Sequence, residues 1–127
     1  MGYLLTRLEF PLQVDYVHAT RYGEQLSGGA LEWIASPRIA LEQRTVVIVD
    51  DIHDEGGTLH ALQQWAQQQG AEEVVTVTLV TKQHERKIAP PSDFNALTVP
   101  DRYVFGFGMD YKGYLRNMPG IYALKEE

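Results

Sequence analysis

Apolar and polar positions change rhythm several times along the chain. Val46, Val47, Ile48 and Val49 form a continuous β-branched run, too short for a helix and of the composition expected for a strand buried on both faces. The run predicts a strand that stops at two acids, Asp50 and Asp51. Val74–Val80 is a second run of this kind, and it gives way to Thr81, Lys82 and Gln83. Between the two, Leu59, Leu62, Trp65 and Ala66 recur at helical spacing with glutamines on the wet face. They predict a helix over 58–69 that Gly70 stops. An earlier stripe of Leu4, Leu5 and Leu8 predicts a helix over 1–10, ended by Pro11. Val14, Tyr16 and His18 alternate with other residues as in a short strand.

The remaining segments are less regular. Residues 19–32 are polar and glycine-bearing and read as an excursion, a loose hairpin returning through Leu31, Trp33 and Ile34. Long loops of this sort are often lids. Trp33 is read as core. His84–Lys87 is a charged turn, Pro90–Pro91 a rigid break, and Leu97 with Val99 a short strand. Aromatics and glycines alternate over Tyr103–Asp110 around a further hydrophobic strand, and Ile121–Leu124 is the last one. Strands separated by helices predict an α/β domain, a mostly parallel sheet flanked by helices on both faces, with its functional tips at the carboxyl edge. No repeat or linker divides the chain, so residues 1–127 are read as one domain.

The stretch after the first buried run carries the chemistry. Asp50, Asp51 and Asp54 are followed by Glu55, Gly56, Gly57 and Thr58, just where the helix begins. Glycines and a threonine at a helix start let backbone amides approach an anion, with the helix dipole behind them. Vicinal carboxylates at a strand tip suit a sugar diol, a divalent metal, or both. A phosphorylated sugar would satisfy both halves. There is no GxxxxGK[ST] loop and no GxGxxG, which leaves the ATPase and dinucleotide readings weak. The bland alternative is a polar loop of turn formers, and three aspartates in five positions argue against it.

Composition narrows this further. The 127 residues are 44% hydrophobic and 22% charged, an ordinary globular balance. There is no cysteine, hence no disulfide or thiolate chemistry within this sequence. No apolar stretch is long enough for a membrane span and no signal peptide is visible, so the cytoplasm is the expected location. A net charge of −6 argues against nucleic acid and leaves small molecules or proteins as partners.

VVIVDDIHDEGGTL resembles the phosphoribosyl-pyrophosphate motif of the type I phosphoribosyltransferases. DYVHATRYG and PDRYVFGFGMDYKGYLRNMPGIYAL resemble the active-site loop strand and the purine-binding segment of the hypoxanthine/hypoxanthine-guanine branch. The resemblance covers essentially the whole chain and implies phosphoribosyl transfer from 5-phosphoribosyl 1-pyrophosphate to hypoxanthine, and to guanine, with Mg²⁺. A catalytically silent purine-nucleotide-binding protein of the same descent is the alternative. It implies that Asp50 and Asp51 hold the ribose hydroxyls with a metal, and that Asp54 acts as base at purine N7. The loop Glu55, Gly56, Gly57 and Thr58 would bind the 5′-phosphate. Lys82 would meet the oxygen at purine C6, Tyr103 would stack on the ring, and the Val104 backbone would read its edge. Asp110 would join a Mg²⁺ carrying pyrophosphate, Arg116 would neutralise pyrophosphate, and Arg21 and Tyr22 would close as a lid.

Three departures stand out against the family pattern. Arg21 occupies a position where that pattern has serine, and Glu55 one where it has threonine. The family pattern also has a strand and a short pyrophosphate-gripping glycine loop ahead of the first helix, which the sequence does not include. That strand would lie beside Val46–Val49, so a homodimer or higher homo-oligomer is expected to cover the sheet.

Overall fold

The computed structural model describes residues 1–21 and 31–125, and its elements are two helices and seven strands among those residues. Three strands form the central sheet: β3 (Thr45–His53), β4 (Glu73–Gln83) and β5 (Phe94–Pro100), in the order β3-β4-β5 and parallel throughout. Their carboxyl ends therefore lie along one edge, as expected for an α/β sheet. Helix α2 (Gly57–Gln68) crosses over between β3 and β4 and buries Leu59, Ala61, Leu62 and Ala66. Gly70 ends it with φ +89°, a left-handed turn natural only to glycine.

The strands run further than their apolar runs predict. β3 continues through both acids to His53, with Asp50 opposite Thr78 and His53 opposite Thr81. Backbone pairing is indifferent to side-chain charge when alternate side chains leave by opposite faces. Burial of β3 also differs from expectation. Val47 and Val49 stay 51% and 37% exposed, while Val46 and Ile48 on the other face are half-buried. A β-branched run thus marks the strand without guaranteeing cover on both faces.

The N-terminal part departs most. Helix α1 spans only Gly2–Leu5 and buries nothing, and the predicted strand through Val14 and Tyr16 does not form. The Asp15 carboxylate accepts the backbone N–H groups of Tyr16, Arg38 and Ile39 at 2.8, 2.6 and 2.8 Å. It clamps this segment to residues 38–39 instead of letting it pair as a strand. Strand β1 (His18–Arg21) starts afterwards and pairs antiparallel with β2 (Leu31–Ala35), giving the two arms of the expected hairpin. Trp33 meets Trp65 of α2 edge-on at 4.9 Å, but both rings are only half-buried, so Trp33 packs at the margin of the helix rather than in the core as expected.

At the other end, β6 (Val104–Phe105) and β7 (Tyr122–Ala123) form a small antiparallel pair. The expected strand over 103–110 breaks at Gly106, whose φ is +91° and where a Cβ would lie 2.2 Å from the Gly120 carbonyl oxygen. Val104 and Met109 pack with Val80 of β4 and with Ile52, Val99 and Ile121, which fixes this C-terminal segment against the carboxyl edge of the sheet.

Candidate active site

Register alone brings the first two functional side chains together. His53 is opposite Thr81, so the next residues along the two parallel strands, Asp54 and Lys82, emerge side by side. Lys82 Nζ donates to Asp54 Oδ2 at 3.4 Å, and His84 Nε2 lies 2.5 Å from Oδ1. Burial pulls the Asp54 carboxyl upward, but the hydrogen bond from His84 and the charge and hydrogen bond of Lys82 outweigh it. The group sits below the usual carboxylate range.

The loop after Asp54 is fastened from below. His53 is buried, with Nε2 3.0 Å from the Pro90 carbonyl, which can only accept. Lys87 donates to the carbonyls of His53 and Asp54, and the Glu55 carbonyl accepts the Ile88 N–H at 3.0 Å. Gly56 then turns with φ +90°, and a Cβ there would stand 2.4 Å from His53 Nε2. Only glycine fits. Helix α2 begins at once, and no side chain caps its first amides, which leaves them open toward an anion.

Above this start lies an open cleft of about 340 Å³. Asp50, Asp54, Glu55 and the backbone of Gly56–Thr58 line it, together with Arg21 from β1 and Ile88. The Arg21 guanidinium lies against Gly57, its Cζ 2.8 Å from where a Cβ would be. Of the residues singled out in the sequence, Asp50, Asp54, the loop 55–58 and Arg21 therefore share one surface, and Asp51 and Lys82 are outside its lining.

Asp50 and Asp51 stay a close pair, the Asp51 N–H donating to Asp50 Oδ1 at 2.8 Å. Burial, then the Asp51 charge, raise the Asp50 carboxyl to about 6. No group of three histidines or carboxylates among the described residues converges on a point. Asp110 is apart from the Asp50–Asp51 pair: it accepts the Gly113 N–H at 2.8 Å and lies 3.7 Å from Arg116. Arg116 also donates to the Gly108 carbonyl at 2.9 Å. Tyr103, 46% exposed, donates its hydroxyl to the Asp110 carbonyl, and Val104 is buried beside it in β6. These four residues form a second cluster, outside the cleft lining. Tyr22 lies outside the described residues.

The sequence reading missed two side chains. His53 was absorbed into the acidic loop and His84 into a charged turn. The signal for His84 is its place two residues after Lys82, which puts both on one side of the strand as it leaves the sheet.

Comparison with known proteins bears directly on this arrangement. Residues 2–112 match the family model described as the phosphoribosyl transferase domain. The hypoxanthine-guanine phosphoribosyltransferase of Lactococcus lactis is 34% identical over 98% of this chain and 68% of its own length. A bifunctional protein TilS/HprT of Listeria innocua is 35% identical over 98% of this chain, which spans only 19% of that protein. Among solved structures, a hypoxanthine phosphoribosyltransferase from Staphylococcus aureus superimposes with a TM-score of 0.87 at 30% identity, covering 98% of this chain and 68% of the other.

Proposed function

The chain belongs to the phosphoribosyl transferase domain family, and on that premise we propose that it transfers a 5-phosphoribosyl group from 5-phosphoribosyl 1-pyrophosphate to hypoxanthine or guanine. The observation that carries this is the single cleft in which Asp50 and Asp54 face the uncapped start of α2. The phosphate rests on the amides of Gly56–Thr58, and Arg21 adds a cation that offsets the neighbouring Glu55. Asp50 and Asp51 take the ribose hydroxyls.

The base enters beside Lys82, which leaves Asp54 for the oxygen at purine C6, while Tyr103 stacks on the ring and the Val104 backbone meets its edge. Ring N9 attacks C1′ as the bond from C1′ to the pyrophosphate oxygen breaks, and the electron pair leaves with pyrophosphate. The proton on N7 passes to Asp54. Arg116, freed from its contact with Asp110, neutralises the leaving group. Arg21 and Tyr22 exclude water from the activated sugar.

Mg²⁺ fits the Asp50–Asp51 pair: the donors are hard oxygens, and Asp50 is raised first by burial and then by the Asp51 charge, both of which a bound cation would offset. Two protein ligands leave the remaining positions to substrate oxygens, the usual arrangement for this ion, and Asp110 serves the pyrophosphate end. When bound, the ion supplies charge neutralisation at the substrate. The proposed location is the cytoplasm, in keeping with a cysteine-free chain. No helix among the described residues is long and apolar enough to cross a membrane.

Asp54→Asn tests the assignment. Turnover is expected to fall about 10²- to 10⁴-fold, with nucleotide affinity changed far less. Normal melting with normal turnover would remove Asp54 from the chemistry. Nucleoside monophosphate binding by the unaltered protein without product formation would mark a silent binding protein instead.

A further inference from the structure

Asp54 is held unequally at its two oxygens. Oδ1 receives His84 Nε2 at 2.5 Å, whereas among the described residues Oδ2 has only the 3.4 Å contact with Lys82, a side chain that the proposed function moves onto the base. His84 has almost no freedom of its own. Its side chain is 4% exposed, and the Arg86 backbone N–H donates to Nδ1 at 3.0 Å. A nitrogen that accepts an N–H carries no proton, so the ring proton sits on Nε2 and points at Asp54.

We propose that His84 is the positioning residue for the proton-accepting carboxylate, a fixed Nε2–H donor that clamps one oxygen of Asp54 and leaves the other to purine N7. This rests on the reading of Asp54 as base. Oδ2 takes the proton, the N–H electron pair stays on the ring, and the carbonyl oxygen of the resulting acid still accepts from His84. The clamp therefore persists through the transfer. Without it the carboxylate is free to turn both oxygens to Lys82, which would draw that ammonium away from the base.

The other groups facing Asp54 have different tasks. Arg86 stands 4.0 Å from Oδ1 but is committed to Asp101 at 2.5 Å. Lys87 holds the Asp54 backbone carbonyl rather than its carboxylate. Glu55 follows it in the chain, and Arg21 lines the same cleft at Gly57. The hydrogen bond from His84 also opposes the upward pull of burial on the Asp54 carboxyl.

The test combines imidazole ¹⁵N shifts and carboxyl ¹³C titration in the unaltered protein with kinetics of His84→Ala and His84→Gln. The expected tautomer is Nε2–H. In H84A the Asp54 titration and the acid limb of kcat/KM both move to higher pH. Its kcat falls about 10- to 100-fold, the loss of one hydrogen bond to a charged group, while KM for the phosphoribosyl donor holds. Glutamine, whose amide N–H reaches the same oxygen, restores both readouts.

An Nδ1–H tautomer overturns the proposal, even if H84A does not fold. So does a folded H84A with an unmoved Asp54 titration and kcat, or an H84Q no better than H84A. If D54N keeps its turnover, the base reading fails by itself, and the tautomer and carboxyl titration still decide whether the clamp exists.

Discussion

Asp50 stands on the cleft side of β3 with Asp51 next to it, and its carboxyl is raised to about 6 by burial and by that neighbour. An acid raised in the folded state binds its proton more tightly folded than unfolded. Its contribution to stability is therefore greatest in acid and is lost as pH climbs from about 4 through about 6. Asp50→Asn keeps the shape and removes the charge. It should melt several degrees higher near neutral pH, a gain of order 1–3 kcal/mol, and should lose that pH dependence while binding phosphorylated ribose more weakly. Melting curves at pH 5 and pH 7 check this, and a lower midpoint for D50N at pH 7 would show Asp50 held by something other than a cation-free acidic pair. The acids were legible in the sequence because three aspartates directly after a β-branched run serve no packing purpose. His53 was not, because nothing in spacing tells a histidine folded under a loop from one left in solvent, and His84 carried only its two-residue offset from Lys82.

Among the elements, the turn into α2 shows two neighbouring glycines required for different reasons. Gly56 is needed by the fold: its φ is +90° and the buried His53 ring occupies the space a side chain would take. Gly57 has ordinary backbone, and a Cβ there would meet the movable ends of Arg21 and Ile88 at 2.8 and 2.9 Å. Gly56→Ala should accordingly lower the melting midpoint by several degrees, since left-handed backbone alone costs an alanine about 1–2 kcal/mol. Gly57→Ala should melt nearly normally but raise KM for the phosphoribosyl donor, because its methyl would stand where the proposed function places the phosphate. Equal losses of stability in the two variants would contradict the distinction. The element pattern itself was readable wherever apolar periodicity decided the structure, as in α2, β4 and β5. It failed where a single local contact decides, as with the Asp15 carboxylate that diverts residues 14–17 and the Gly120 carbonyl that leaves no room for a side chain at the Gly106 turn.

Across the molecule, one group of uncovered apolar residues lies on the central sheet. Among the described residues β3 has a neighbour on one side only, and its exposed Val47 and Val49 share a face with Phe94 of β5, which is 64% exposed. Exposed apolar area of this kind marks a contact surface. The proposed homo-oligomer is therefore expected to be visible by light scattering at micromolar concentration, and a stable monomer there would set it aside. The register of the parallel strands was beyond the sequence reading, although both apolar runs were plain. That register is what sets Asp54 beside Lys82, and it depends on where α2 returns the chain.

The fastening of residues 53–55 to residues 87–88 has a consequence for ligand choice. Lys87 and the Ile88 amide hold three successive carbonyls of the phosphate loop. Both belong to the segment that follows Lys82 and His84 directly in the chain. On the proposed function, the seat for the phosphate and the seat for the base would thus be two marks on one gauge, their span set by this fastening. Such a gauge would reject a molecule whose linker between base and phosphate is too long or too short, even when every individual contact is available to it.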